Sequence, residues 1–370
     1  MRVAHILPWP GIGGTEHSTH QLAGFLKARD HSVVVYHLPE AVQTAGLMAA
    51  SGFATATYRS EFPSYRHPWN YLRASMDLAR DLRRRRVQIV HCADLLAAYH
   101  AGLAAKLARL PLLCHIRCVF DHLSKRDQSF LWPVDHFAFI SKAVRDGFAY
   151  RAAVKRGTVI YTGFSIPVFK RDEAAASLRK EFGIPDTDAV IGMAARIAEL
   201  KDFHTFARAA GIVLRSHPNV RFLLVGDYSQ PQQQTHYARV RQWLNDYGVS
   251  SQFIFTGHRN DATRVLAGMD ISVLCTHSEG FGRVIVEAMA QGTPVVGTAI
   301  DGVPEIIRHG SNGLMHAHED HEDLARCLAA LLDDSGYAAR LAAAGKIDAA
   351  ERFSADAFVL NIESLYKRLT

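Results

Sequence analysis

One pattern runs twice through the chain and constrains it more than any other feature. Short, uninterrupted apolar runs alternate with longer stretches of helical periodicity. Residues 3–7, 32–37, 88–92, 112–116, 136–140 and 158–161 read as strands. They are continuous in Val, Ile, Leu and Phe rather than alternating, as expected where helices cover both faces of a sheet. Helical patterns over 16–29 and 69–86 lie between them. A strand–helix–strand series of this kind builds a parallel sheet. At 163–171 the pattern breaks into Gly-Phe-Ser-Ile-Pro-Val-Phe-Lys-Arg, which reads as a linker. A second series follows, with strands at 190–193, 220–225, 253–255, 271–274 and 294–297. Helical patterns at 203–215, 235–247, 261–268 and 283–291 separate them, and helical stretches at 323–332, 336–351 and 355–369 close the chain. The expectation is an α/β protein of two tandem, Rossmann-like, doubly wound parallel-sheet domains. Ligands bind such sheets at the strand carboxyl ends, so the two sheets are expected to face a central cleft.

Length agrees, since 370 residues exceed what one hydrophobic core supports. Hydrophobic residues at 48% and charged residues at 21% exclude disordered, collagen-like and coiled-coil chains. No apolar run approaches the ~20 residues that span a bilayer. The run after Met1-Arg2 stops at Pro8, too short for a signal peptide. A cytoplasmic protein is expected, at most lying on a membrane surface. Cys92, Cys114, Cys118, Cys275 and Cys327 are odd in number and lack CxxC spacing, which reads as reduced thiols.

Charge is uneven. Residues 1–165 carry 21 Lys and Arg against 11 Asp and Glu, whereas the remainder is slightly acidic. A basic first half points to an anionic partner: nucleic acid, a phosphorylated ligand or anionic lipid.

Three loops carry the chemistry. The first strand runs into Pro8-Trp9-Pro10-Gly11-Ile12-Gly13-Gly14-Thr15-Glu16. A glycine-rich turn before a helix lets backbone amides approach an anion. The third glycine of a nicotinamide fingerprint would fall on Glu16, which weighs against a dehydrogenase. After the first strand of the second series come Arg196 and Lys201, a planar fork and a point charge that both suit phosphate oxygens. The third loop reads Ser278-Glu279-Gly280-Phe281-Gly282-Arg283 and opens a helix that carries Glu287. Its glycines allow close backbone approach, and the helix start offers free amides. Glu287 lies between apolar neighbours, where its carboxylate can accept paired hydrogen bonds from a vicinal diol such as a ribose. The two carboxylates would flank one polyhydroxylated ligand.

Gly13-Gly14, Arg196-x4-Lys201 and Glu279-x7-Glu287 with Gly280-Phe281-Gly282 together resemble the retaining GT-B glycosyltransferases of family four, the group 1 glycosyl transferases. The likeness extends over nearly the whole chain, through Ile160-Tyr161-Thr162-Gly163, Leu224-Val225-Gly226-Asp227, Phe255-Thr256-Gly257 and Gly302-Val303-Pro304-Glu305. It implies transfer of a hexose-type sugar from a nucleotide-diphosphate donor to a glycan or lipid-linked acceptor. Residues 1–165 would form an acceptor-binding domain, with the helix 354–370 crossing back to it, and 166–353 a nucleotide-sugar-binding domain. Arg196 and Lys201 would hold the diphosphate and stabilise its departing charge. Glu287 would bind the ribose. Glu279 and the backbone of Gly280, Phe281, Gly282 and Arg283 would bind the sugar and phosphate. Gly13 and Gly14 would approach from the first domain, His115 would stand beside the donor sugar, and backbone around His258 would meet the base.

The resemblance also implies retention of anomeric configuration by a same-face attack; a double displacement would need a carboxylate nucleophile, and none stands out. No cofactor or metal is implied, and no DxD-type pair occurs in a suitable loop. The implied setting is polysaccharide or lipopolysaccharide assembly at the inner face of the cell membrane, with the basic first domain toward an anionic surface. Two alternatives remain open: a sugar-nucleotide epimerase of the same fold, and a basic nucleic-acid-binding protein. The second lacks any named motif, so nucleic acid is not expected.

Departures from the family pattern fall at Tyr228, where a glycine is usual, and in 229–234, read as a surface excursion. Thr276-His277 before Ser278 leaves the donor sugar open. The aromatic and basic stretch from Tyr58 through Phe62, Tyr65 and Trp69 to Tyr71 suits stacking on an acceptor, with Tyr65, Trp69 and Glu16 as candidate contacts. Arg83-Arg84-Arg85-Arg86 reads as a solvated helix end that, with Arg73 and Arg80, could also rest on anionic headgroups. His316-x-His318-x-x-His321 reads as loop and helix-start chemistry rather than a metal site.

Overall fold

Strands form where β-branched and aromatic residues run together. In the computed structural model, which describes every residue except Ser64, Tyr65 and His67, they build two parallel sheets. The first comprises β1 (Arg2–Ile6), β2 (Ser32–His37), β3 (Ala54–Thr57), β4 (Ile89–Cys92), β5 (Leu112–Ile116), β6 (His136–Phe139) and β7 (Gly157–Val159). Their order is β3-β2-β1-β4-β5-β6-β7. The second comprises β8 (Ala189–Ala194), β9 (Val220–Val225), β10 (Phe253–Gly257), β11 (Ile271–Leu274), β12 (Val295–Thr298) and β13 (Leu314–His316), in the order β10-β9-β8-β11-β12-β13. Central β1 pairs with β2 and β4 through Val3, opposite Val33 and Ile89. The chain divides into two compact units, Met1–Ser165 with Ser354–Thr370, and Ile166–Phe353.

In the first unit the last helix, Ala355–Leu369, completes the core. Phe358, Val359, Ile362, Leu365 and Tyr366 join Val3, Leu22, Val33 and Ile89 in one buried cluster. The attachment is polar as well. The Tyr366 hydroxyl shares a 2.7 Å hydrogen bond with His91 Nδ1. Glu363 accepts from Arg29 Nε at 2.8 Å and lies 2.9 Å from His31 Nε2. Gly163 lets the helix start come close: a Cβ there would lie 2.1 Å from the Ser354 carbonyl oxygen.

The structure amends the sequence reading at several points. Strand β3 is Ala-Thr-Ala-Thr at a sheet edge, half-solvated, so it shows no apolar run. Residues 229–234 are not an excursion. Helix Pro231–Asp246 starts within them, with Pro231 in its first turn and Gln230 and Gln233 closing a capping box. The linker ends where expected, at Arg171, but it runs directly into a helix, Arg171–Phe182, that the sequence reading did not name. The arginine run is the solvated end of helix Pro68–Arg84, as expected: Arg84 and Arg85 both reach Asp81, Arg80 reaches Asp77, and Arg83 donates to the Leu107 carbonyl. The five cysteines are free thiols. Among the described residues no helix is long and apolar enough to cross a membrane.

Candidate active site

A doubly wound sheet opens its crevice where the strand order reverses, at the carboxyl ends of the two flanking strands. In the second unit the reversal lies between β8 and β11. The loops after these two strands are tied together. The Asp202 amide donates to the Cys275 carbonyl at 3.2 Å, while the Asp202 side chain caps helix Phe203–Ser216 through Thr205 N at 2.9 Å. Lys201 bridges the gap: its Nζ donates to Glu279 Oε2 at 2.7 Å and to Thr276 Oγ1 at 3.3 Å.

Glu279 is engaged on both oxygens. Its Oε1 accepts from Gly282 N at 3.1 Å and Phe281 N at 3.4 Å. The amides expected to be free for a ligand are therefore covered by the protein's own carboxylate. The loop is held from beneath by Asp301, whose Oδ2 accepts from Ser278 Oγ at 2.6 Å and Glu279 N at 2.9 Å. Gly282 sits at φ 96, a left-handed conformation that favours glycine, and caps helix Arg283–Gln291. One turn on, Arg283 Nε donates to Glu287 Oε1 at 2.6 Å. Glu287 is half-buried, as its apolar neighbours imply. Arg196 is exposed and has no hydrogen-bond or ion-pair partner among the described residues. The Phe281 ring is buried and packs edge-on against Phe353 with centroids 5.5 Å apart, so its expected part is that of its backbone alone. After β10, exposed His258 lies 3.1 Å from Asn260 Oδ1. Tyr228 stacks on Tyr237 with centroids 4.3 Å apart, and its ring edge stands 4.0 Å from where a Cβ on Gly257 would be.

In the first unit the reversal lies between β1 and β4. Again a side-chain pair bridges the two loops: Trp9 Nε1 donates to Asp94 Oδ2 at 2.7 Å. Asp94 also caps helix Leu95–Ala108 through Ala97 N at 2.9 Å. Gly13 N donates to Glu16 Oε2 at 2.8 Å, and added Cβ atoms on Gly11 or Gly14 would meet nothing within 4 Å. Glu16 is buried and turned inward onto this cap, with no partner for Oε1 among the described residues. Burial pushes its carboxyl up, against the pull of nearby backbone amides.

His115 is where the structure departs from the expectation. It is fully buried in β5, stacked on His91 at 5.5 Å and packed near Phe358 of the last helix. It presents no atom to a ligand. Arg117, just past the end of that strand, does reach a cavity. Its Nε donates to the Ala93 carbonyl at 3.0 Å, and burial lowers its pKa to about 10. The cavity, of about 890 Å³, is lined by Arg117 and Asp94 together with Trp9, Tyr99, Phe120 and Phe130. Trp69, 77% exposed, borders a smaller neighbouring pocket of about 330 Å³ that shares Pro63 and Phe130 with it. Tyr58 is buried, its hydroxyl 3.2 Å from the Leu7 carbonyl, so it is core rather than a stacking platform. Tyr65 lies outside the described residues. Asp94 and Arg117 were missed by sequence reasoning. The available signal was their place immediately after β4 and β5, at strand carboxyl ends.

Comparison with known proteins bears on both units. Residues 12–166 match the model of Glycosyltransferase Family 4, and residues 175–348 match that of Glycosyl transferases group 1. N-acetyl-alpha-D-glucosaminyl L-malate synthase of Bacillus anthracis is 26% identical over 54% of this chain and 50% of its own length. The lipopolysaccharide core biosynthesis glycosyltransferase LpsE of Rhizobium meliloti is 33% identical over 48% of this chain and 50% of its own length. The chain thus spans about half the length of these curated relatives. The crystal structure of Anabaena Alr3699/HepE in complex with UDP and glucose superposes with a TM-score of 0.84, at 21% identity, over 100% of both chains. Two tandem parallel-sheet units of this kind define a GT-B fold. The chain belongs to the glycosyl transferases of group 1.

Proposed function

We propose that the protein transfers a hexose-type sugar, with retention, from a nucleotide-diphosphate sugar to a glycan or lipid-linked glycan. The observation that carries this reading is the set of groups at the β8/β11 reversal: exposed Arg196, the Lys201–Glu279 pair, and the Arg283–Glu287 pair one turn into the helix. Arg196 and Lys201 take the diphosphate. Their charge counters the negative charge that builds on the leaving oxygen as its bond to the anomeric carbon breaks. The acceptor oxygen bonds to the same face of that carbon, and its proton passes to the leaving phosphate. Glu287 accepts from the ribose hydroxyls, and backbone near His258, bordered by Tyr228, meets the base. Glu279 and the amides of Gly280–Arg283 take the sugar and its phosphate once Glu279 turns from its own cap. UDP and glucose, named with the Anabaena structure, set the first donor to try. The relatives' names, one a lipopolysaccharide core enzyme, support a cell-surface glycan acceptor.

The acceptor seat in this reading is the first unit's cavity, whose aromatic walls suit a sugar face or an apolar carrier. The excess cations of residues 1–165 favour an anionic, membrane-borne acceptor, at the inner membrane surface. The reading requires no metal for the transfer step.

The test is a thermal-shift and hydrolysis screen across UDP-, GDP-, dTDP- and ADP-hexoses, followed by acceptor kinetics with the donor that binds. One base should stabilise the wild type by mass action and stabilise Glu287→Ala far less. Arg117→Ala should raise the acceptor KM and leave the donor KM unchanged. Absence of any nucleotide-sugar effect, or equal effects in Glu287→Ala, overturns the donor assignment.

A further inference from the structure

The histidines at 316, 318 and 321 do not gather. His316 is buried, with Nε2 3.0 Å from Thr298 Oγ1 and Nδ1 2.8 Å from the Ala317 carbonyl. His321 begins helix His321–Asp333. The fold instead brings His318 to a residue from a different loop. His318 Nε2 lies 3.2 Å from His277 Nδ1, while Glu319 Oε1 lies 3.3 Å from His277 Nδ1 and 3.9 Å from His318 Nε2. We propose that His277, His318 and Glu319 form a zinc-binding site at the surface of the second unit, separate from the transfer chemistry.

Geometry supports one ion. Three ligand atoms at tetrahedral positions around zinc, with bonds of about 2.0–2.1 Å, are about 3.3–3.4 Å apart. Two of the three observed separations fall close to that, and the third is longer by roughly half an ångström. Octahedral ligands at the same bond length would be about 2.9 Å apart, and calcium and magnesium prefer oxygen to imidazole. Two imidazoles and one carboxylate, with a fourth position open to water, form a familiar zinc set. All three side chains are exposed, so an ion can enter from solvent.

The backbone beneath them is already held. The His277 amide donates to the Leu200 carbonyl at 2.9 Å. The Ala317 amide donates to Asp323 Oδ2 at 2.8 Å, and the Asp320 amide to the Ala317 carbonyl at 3.2 Å. Fixed anchors on both loops lower the cost of assembling the ligands. The same three atoms, two ring nitrogens and one carboxylate oxygen, already converge on one point at the surface. An ion would tie the loop leading into Ser278 and Glu279 to the turn after β13.

The experiment uses untagged full-length protein, with zinc titrated in competition with a chromophoric chelator and cobalt absorption as a geometry probe. One saturable zinc per chain and the intense bands of tetrahedral cobalt are expected. His277→Ala and His318→Ala should each weaken zinc binding by roughly tenfold or more, and His321→Ala should not. Circular dichroism of each variant without metal guards against misfolding, since these side chains are exposed. Three results overturn the proposal: no saturable binding, binding that survives the His277→Ala/His318→Ala double substitution, or an equal loss in His321→Ala.

Discussion

Lys201 and Glu279 hold each other across the β8/β11 reversal, ammonium to carboxylate at 2.7 Å, with both side chains largely shielded from solvent. The pair does two things at once. It ties the two loops together, and it keeps a cation beside the site that the proposed function assigns to the diphosphate. Lys201→Ala should therefore lower kcat/KM about 10²–10³-fold, the range for losing one preorganised donor. It also leaves Glu279 without its cation. A double-mutant cycle of Lys201→Ala and Glu279→Ala on unfolding free energy should show coupling of about 0.5–3 kcal/mol. Additive stabilities would mean that the ion pair contributes nothing to the loop.

The donor loop is also set by a glycine outside it. A Cβ on Gly302 would lie 2.4 Å from the Gly280 carbonyl oxygen and 2.9 Å from its carbon. Backbone cannot yield as a flexible side chain does. Gly302→Ala should cost about 1–3 kcal/mol of stability and weaken nucleotide-sugar binding. Gly14→Ala makes the contrast, because its Cβ would meet nothing within 4 Å of protein. Stability should hold there, and a loss of turnover alone would assign that space to a ligand. Calorimetric unfolding beside donor titration separates the two effects.

Acid should unfold the first unit through its buried histidines. Burial lowers His5 to about 3 and drives His91 and His115 well below the ordinary imidazole value, with Arg117 adding to the effect in each case. The unfolded chain thus binds more protons than the native one below about pH 6.5. Stability from these groups is complete above that value and is lost as pH falls toward 3, at up to about 1.4 kcal/mol per pH unit for each ring. His115→Leu removes a ring with no hydrogen-bond partner for either nitrogen among the described residues. It should flatten the dependence of unfolding free energy on pH by about one proton and preserve turnover. An unchanged slope in denaturant titrations would sink this account, and loss of turnover with stability intact would return His115 to the chemistry.

Much of this was legible because it is local. A buried strand such as β9 is a run of apolar residues, and Gly282 before Arg283 marks a helix start, whatever the rest of the chain does. The types of residue at the second unit's strand ends were legible for the same reason: Arg196, Lys201 and Glu279 sit in loops, and Glu287 one turn into a helix, whose positions follow from the strands. Strand β3 was not legible, since an edge strand buries too little to need an apolar run. Nor was the start of helix Pro231–Asp246, whose polar first turn resembles a loop until its capping box is seen.

By itself, then, the amino-acid order determined two α/β series, the polar loops that end their strands, and the kinds of charge those loops carry. Tertiary structure alone decided which charges meet. It paired Lys201 with Glu279, buried His115 against the last helix while Arg117 reached the cavity, and set His277 beside His318. These choices depend on which loops the sheet order brings together and which layer each strand face enters. Contacts between residues tens of positions apart in the chain leave no periodicity in it, because they arise only when the whole sheet closes.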